Sequence, residues 1–312
     1  MEQVTLGQAL VTQVVLESNH IIISQSNGLI YIINSIDKET RIIQNDTGVW
    51  ALAASKTYIA SGDIAGHLRI WDITTGVCNA TFEGHTAAIR AIHLLDDSTI
   101  ITTSKDGTLR HWDLSIGCCI RVFTGHEKGV YCSAVDSKTL ISGSHDTTAR
   151  VWRIEDGQCL TVLKGHNGPV HSVVFNGSFL ATGSTDSTIR VWDLASGTIL
   201  ESHSKLVGIL LLRGERLVSG SADGSVCIWS TQDFTLMHKL SAHIGIVSAL
   251  ALNDRVIVSG GGDGVKVWDF ADGMLVRHFS EEVSVYALVV SEKKLIACMK
   301  SGDSTFLVLR DI

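Results

Sequence analysis

A histidine, a hydroxyl residue, an aspartate and a tryptophan recur in fixed order along this 312-residue chain. The sets are His85, Thr102, Asp106 and Trp112; His126, Ser142, Asp146 and Trp152; His166, Thr182, Asp186 and Trp192; His203, Ser219, Asp223 and Trp229; and His243, Ser259, Asp263 and Trp268, the last with a turn one residue shorter. Hydroxyl, imidazole and carboxylate are the parts of a hydrolytic triad, in which the imidazole takes the proton of an attacking oxygen. A triad is a single site, however, and this trio returns again and again, so a shared structural role outweighs catalysis. Two cations fall outside the pattern: Arg90 lies five residues after His85, and Lys105 immediately precedes Asp106. Placed together, such groups donate charge-assisted hydrogen bonds to an anion.

Other chemistries find little support. The sequence has no GxxxxGK[ST] phosphate loop, no HExxH and no carboxylate pair without a place in the repeat, so neither an enzyme nor a cofactor is expected. Cys, His and Asp residues spread at repeat spacing make a metal site unexpected. Seven cysteines, an odd number that includes Cys118-Cys119 but no CxxC pair, read as reduced core residues of a cytoplasmic or nuclear protein. The formal charge of −7 disfavours nucleic acid as primary partner or an anionic membrane, both of which need a basic face, so any anion site must be local. No apolar run reaches the roughly 18 residues of a membrane span.

The elements that carry these residues follow from the tryptophans. Trp71, Trp112, Trp152, Trp192, Trp229 and Trp268 are spaced by 41, 40, 40, 37 and 39 residues. Each ends a short strand rich in β-branched and apolar residues, such as TLRHWDL or TIRVWDL, after a small-residue turn such as SGSHD or TGSTD. About 40 residues with turn signals every 8 to 12 hold four short strands, and GH openings with WD endings are the signature of a propeller blade. The expected fold is an all-β propeller in a single domain over residues 1–312, since one proline, Pro169, and no Ser/Gly or charge run leave no linker.

The whole chain thus resembles a WD-repeat protein. The resemblance implies that each recurrent set forms a tetrad in which the buried indole N–H finds an acceptor in the hydroxyl and the imidazole bridges onward to the carboxylate. Asn45 and Ala65 stand where the second repeat would have His and Asp, so no tetrad is expected there. Extending the period reaches Ile32 and Leu309, which gives eight units; seven blades with a loose terminal segment is the alternative. Each terminal unit shows three strands, LVTQVVL, HIIIS and GLIYIIN at one end and VSVYALVV, KKLIAC and STFLVLR at the other. Residues 3–6 are therefore expected to complete the last blade and close the propeller, covering an edge that would otherwise pair with other chains.

In this architecture the residue five after the tetrad histidine and the residue before the aspartate share one face, at the mouth of the channel. The first series reads Thr12, Trp50, Arg90, Tyr131, His171, Gly208, Ser248 and Tyr286, and the second includes Lys105 and His145. Trp50, Arg90, Lys105, Tyr131, His145 and His171 form the expected site for a short linear, anionic peptide. GVWALAAS at 48–55, EGHTAAIRAIHL at 83–94 and the closing TFLVLRD resemble the eight-bladed substrate-binding domain of F-box/WD-repeat receptors of SCF ubiquitin ligases, of the cell-division-control type. That resemblance implies a phosphorylated degron as ligand, bound by a Trp and an Arg at the positions of Trp50 and Arg90, with ligase subunits reached through an F-box. No F-box is read within the 312 residues. Two family arginines are replaced, one by Lys105 and one by Tyr131. A scaffold subunit binding proteins without phosphate dependence is the other reading.

Overall fold

The computed structural model describes residues 2–177, 179–192, 197–279, 283–292 and 294–311; the Asp193-Leu194 end of TIRVWDL, Lys293 and Ile312 lie outside them. Its strands form eight four-stranded antiparallel sheets, and the fold is an eight-bladed β-propeller. Within a blade the strands pair in chain order, as in blade 4, where Val130–Val135, Thr139–Ser144, Ala149–Arg153 and Cys159–Leu163 run from inner to outer edge. The contacts divide the chain into two compact units, Val11–Gly165 with blades 1 to 4 and the remainder with blades 5 to 8.

Period-2 alternation explains the packing. Each strand sends alternate side chains to opposite faces, and both faces of the middle strands are covered by a neighbouring blade. In blade 3 Ile100 and Trp112 face blade 2 and join Tyr58, Leu68 and Phe82, whereas Ile101 and Leu109 face blade 4 and join Leu140 and Trp152. Trp112 and Trp152 are each only 1% exposed, and Phe82 and Phe123 meet them edge-on. Outer strands bury one residue in two or fewer.

The terminal strand closes blade 8 as expected. Glu2–Gly7 pairs antiparallel with Ser304–Asp311 in the register Val4 to Leu307, Leu6 is fully buried, and Thr305 Oγ1 donates to Ala9 O at 3.0 Å. Two sequence expectations need correction. Blade 1 has a fourth strand of its own, Thr40–Gln44, in which only Ile43 is buried, so its apolar signal is weak. Cysteines are not generally core residues: Cys227 and Cys298 are buried, but Cys78 and Cys118 are exposed, because they open outer strands. All seven thiols are free.

Candidate peptide-binding site

A backbone irregularity aims the site residues. The inner strands of blades 2, 3 and 4 pair with their neighbours in register except at one extra residue, which falls between Val49 and Ala51, between Ile89 and Ala91, and between Val130 and Cys132. The extra residues are Trp50, Arg90 and Tyr131. A β-bulge leaves one residue unpaired and turns its side chain out of the alternation, so these three point out of the interblade packing while Val49, Ile89 and Val130 beside them are fully buried. Thr12, His171, Gly208 and Tyr286 hold the same bulge in blades 1, 5, 6 and 8. The second series is pinned to the first by backbone: Lys105 N donates to Ala88 O at 2.9 Å and His145 N to Gly129 O at 3.0 Å. A further bond, from Ser104 Oγ to Ala87 O at 2.9 Å, fixes the same loop.

The result is a stack of cations and rings across blades 2 to 4. The Arg90 guanidinium lies 5.0 Å from the Trp50 ring centre and 5.4 Å from that of Tyr131. Lys105 Nζ is 5.4 Å from the centre of the same Tyr131 ring, which stacks on His145 at 3.6 Å with planes 4° apart. Cations held over aromatic faces keep their orientation without a counter-carboxylate. Among the described residues no carboxylate pairs with Arg90 or Lys105, and Arg90 Nε is buried without a hydrogen-bond partner. Burial holds the Arg90 guanidinium below its ordinary pKa. Burial also lowers His145, helped by Lys105, Lys128 and Arg90, so this imidazole is neutral near pH 7. Lys128 is a third cation that the sequence reading missed; its signal was the GHEKG loop two residues beyond His126. Trp50 is 39% exposed and Lys105 is exposed, so the cluster is open to a ligand. His171 holds the blade 5 bulge in the other unit and is half-buried.

The recurrent sets do form tetrads. In blade 4 Trp152 Nε1 donates to Ser142 Oγ at 2.8 Å, His126 Nε2 meets the same hydroxyl at 2.7 Å, and His126 Nδ1 meets Asp146 Oδ2 at 2.7 Å. Blades 3, 5 and 7 repeat this arrangement through His85, His166 and His243. Burial outweighs the neighbouring carboxylate and lowers His126, whereas burial would raise Asp146 but bonds from Thr148 and His126 hold it at about 2. A neutral imidazole therefore donates from Nδ1 to an ionised carboxylate and accepts the serine proton at Nε2. The hydroxyls of Thr102, Ser142, Thr182, Ser219 and Ser259 are on residues with no exposure, out of reach of any substrate. In blade 6 the chain departs from the scheme, since His203 Nδ1 bonds Ser225 Oγ at 2.8 Å and stands 3.4 Å from Asp223.

Blade 2 lacks the tetrad, as expected, yet it is not empty. Trp71 Nε1 keeps its bond to Ser61 Oγ at 2.8 Å. In place of the histidine, Arg69 Nη1 donates to Asn45 Oδ1 at 2.7 Å and to Asp63 Oδ2 at 2.6 Å, and Asp63 is fully buried. The carboxylate has moved from the turn to the strand end, and an arginine supplies the positive partner.

Residues 76–113, 117–153, 157–193 and 197–230 match the family model for the WD domain, G-beta repeat. Over 94 residues, 30% of this chain, the sequence is 32% identical to WD repeat-containing protein pop2 of Schizosaccharomyces pombe, and that stretch is 13% of pop2. Over 95 residues it is 30% identical to cell division control protein 4 of Saccharomyces cerevisiae, covering 30% of this chain and 12% of that protein. The matched region thus spans about an eighth of the length of these curated relatives. Among solved structures, the computationally designed Ika8 protein superposes with a TM-score of 0.89 at 28% identity, over 99% of this chain and 98% of Ika8. The chain is an eight-bladed propeller, four segments of which match WD repeats.

Proposed function

We propose that this propeller, a protein-interaction module, takes a phosphorylated linear peptide on the Trp50, Arg90, Lys105, Tyr131 and His145 cluster, as the substrate-recognising part of a ubiquitin ligase in the cytoplasm or nucleus. The observation that carries the reading is the Arg90 guanidinium held between two rings with no carboxylate partner. A dianionic phosphate supplies the missing acceptors, and the exposed face of Trp50 offers packing for an apolar neighbour in the peptide. The partial likeness to cell division control protein 4 adds support. Lys105 donates as a point charge rather than as a fork, so the phosphate is gripped with less directional selectivity than by two arginines.

Titration of phosphorylated and unphosphorylated forms of one candidate degron against wild type and an Arg90→Glu, Lys105→Glu variant tests this. Two lost charge-assisted bonds at roughly 1.5 to 3 kcal/mol each predict a loss of about a hundredfold to somewhat over ten-thousandfold for the phosphorylated form. Wild-type affinity that ignores the phosphate would instead favour a phosphate-independent scaffold, a reading to which the aromatic Tyr131 in place of an arginine lends some weight.

A further inference from the structure

Lys105 and His145 occupy the same turn position in adjacent blades, just before Asp106 and Asp146. Equivalent backbone bonds pin them, from Lys105 N to Ala88 O and from His145 N to Gly129 O. Blade 3 thus places a lysine ammonium where blade 4 places an imidazole, a ring that gains or loses its charge near neutrality. The two share one neighbour. His145 lies flat on Tyr131 with 3.6 Å between ring centres, and both Lys105 Nζ and the Arg90 guanidinium lie 5.4 Å from the centre of that same tyrosine. Gly129 allows the close approach, since a Cβ there would stand 2.9 Å from Lys105 O and 3.2 Å from Tyr131 Cε2.

Every charge that acts on this imidazole is positive. Burial comes first, followed by Lys105 of blade 3, Lys128 in the loop that opens blade 4 and Arg90 of blade 3, and together they hold His145 below its ordinary 6.5. The carboxylate beside it in the chain, Asp146, is turned to His126 and Thr148 instead. A dianion bound among these cations offsets their repulsion and adds an attraction of its own, so the ring holds a proton more strongly in the complex than in the free protein.

Building on the phosphopeptide reading of this cluster, we propose that phosphate binding is coupled to protonation of His145, so that the site holds a phosphorylated peptide more tightly as the medium becomes acidic. The proton comes from solvent, to which the half-buried residue is partly open. The complex binds more protons than the free protein, and affinity therefore rises as the pH falls through the bound-state value of His145. It levels off below the free-state value, which lies under 6.5. A difference of about one pH unit between the two values is a tenfold gain in affinity between those limits.

The probe is a blocked peptide with one phosphothreonine between apolar residues, titrated by calorimetry from pH 7.5 to pH 6 in two buffers of different ionisation heat, with its unphosphorylated form as reference. Because the phosphate itself titrates at about pH 6, wild type is read against His145→Phe, which keeps a ring on Tyr131 and takes no proton. His145→Gln gives the same comparison without a ring. At pH 6.5 wild type is expected to take up about half a proton more per peptide than either variant, and to gain about three- to tenfold more affinity between pH 7.5 and pH 6. His171→Phe, at the bulge of blade 5 in the other unit, should keep the wild-type proton count whatever it does to affinity. Equal proton counts for wild type and both His145 variants, all folded and all preferring the phosphorylated peptide, would overturn the coupling and leave the phosphopeptide reading standing. A wild type that binds neither form, or both equally, would overturn the two together. Loss of the extra proton in His171→Phe with its retention in the His145 variants would refute the assignment to His145.

Discussion

Replacing Asp146 with alanine removes four hydrogen bonds at once. Asp146 Oδ2 accepts from His126 Nδ1 at 2.7 Å and Glu127 N at 3.1 Å, and Oδ1 accepts from Thr148 N at 2.9 Å and Thr148 Oγ1 at 2.7 Å. The His126 side chain has no exposure, so its buried Nδ1–H is left with only the long contact to Thr148 Oγ1 at 3.4 Å. That desolvation costs roughly 1 to 3 kcal/mol, and loosening the turn adds about 1 kcal/mol more, because the exposed backbone groups regain water. With unfolding entropy of about 2 cal/mol/K per residue, a chain of this length loses roughly 1.5 °C per kcal/mol, so the melting point should fall by about 3 to 6 °C. The comparison that isolates the cause is Asp223→Ala. There His203 Nδ1 bonds Ser225 Oγ at 2.8 Å and stands 3.4 Å from the carboxylate, so the imidazole keeps a partner when Asp223 is removed. Calorimetry and urea titration of the two variants should rank Asp146→Ala as the more damaging by about 1 kcal/mol or more. An equal or reversed ranking would refute the stranded-imidazole argument and leave the aspartates as simple turn formers.

Arg69→Met should cost about 3 to 5 kcal/mol, because it abandons the fully buried Asp63 carboxylate, and Arg69→Met with Asp63→Asn should recover much of that loss in a urea titration. Stability should fall as the pH drops below 6.5. Burial lowers the folded-state values of His85, His126, His166, His203 and His243, and holds His93 at about 4, so the unfolded chain takes up these protons first. Each such histidine contributes about 1.4 kcal/mol per pH unit until its folded form protonates, and a urea midpoint that stayed constant from pH 7.5 to pH 5 would count against neutral tetrads. Deleting residues 1–7 removes the strand paired with Ser304–Asp311 and should lower the melting point by several degrees or cause aggregation through the bared edge, read by light scattering.

The sequence by itself determined the blade. A 40-residue period, alternation in short strands and a tryptophan at each strand end require four-stranded units that bury both faces, because no single unit covers its own apolar side chains. Counting strands against that period placed the N-terminal segment in blade 8, and the paired strand is there. The direction of Trp50, Arg90 and Tyr131 was legible as spacing from a histidine, but its cause, a bulge in the inner strand, is a matter of register between two strands and has no letter of its own. Other features lay beyond a linear reading. The fourth strand of blade 1 buries one residue, too little for a pattern. The Asn45, Asp63 and Arg69 network unites residues whose separate positions break the repeat, and only their packing in one blade shows that a cation has replaced the imidazole. Tertiary structure likewise decided which cations keep company. Arg90 could have met a carboxylate, and instead two rings from adjacent blades flank it, because bulges at equivalent positions bring equivalent side chains together in space.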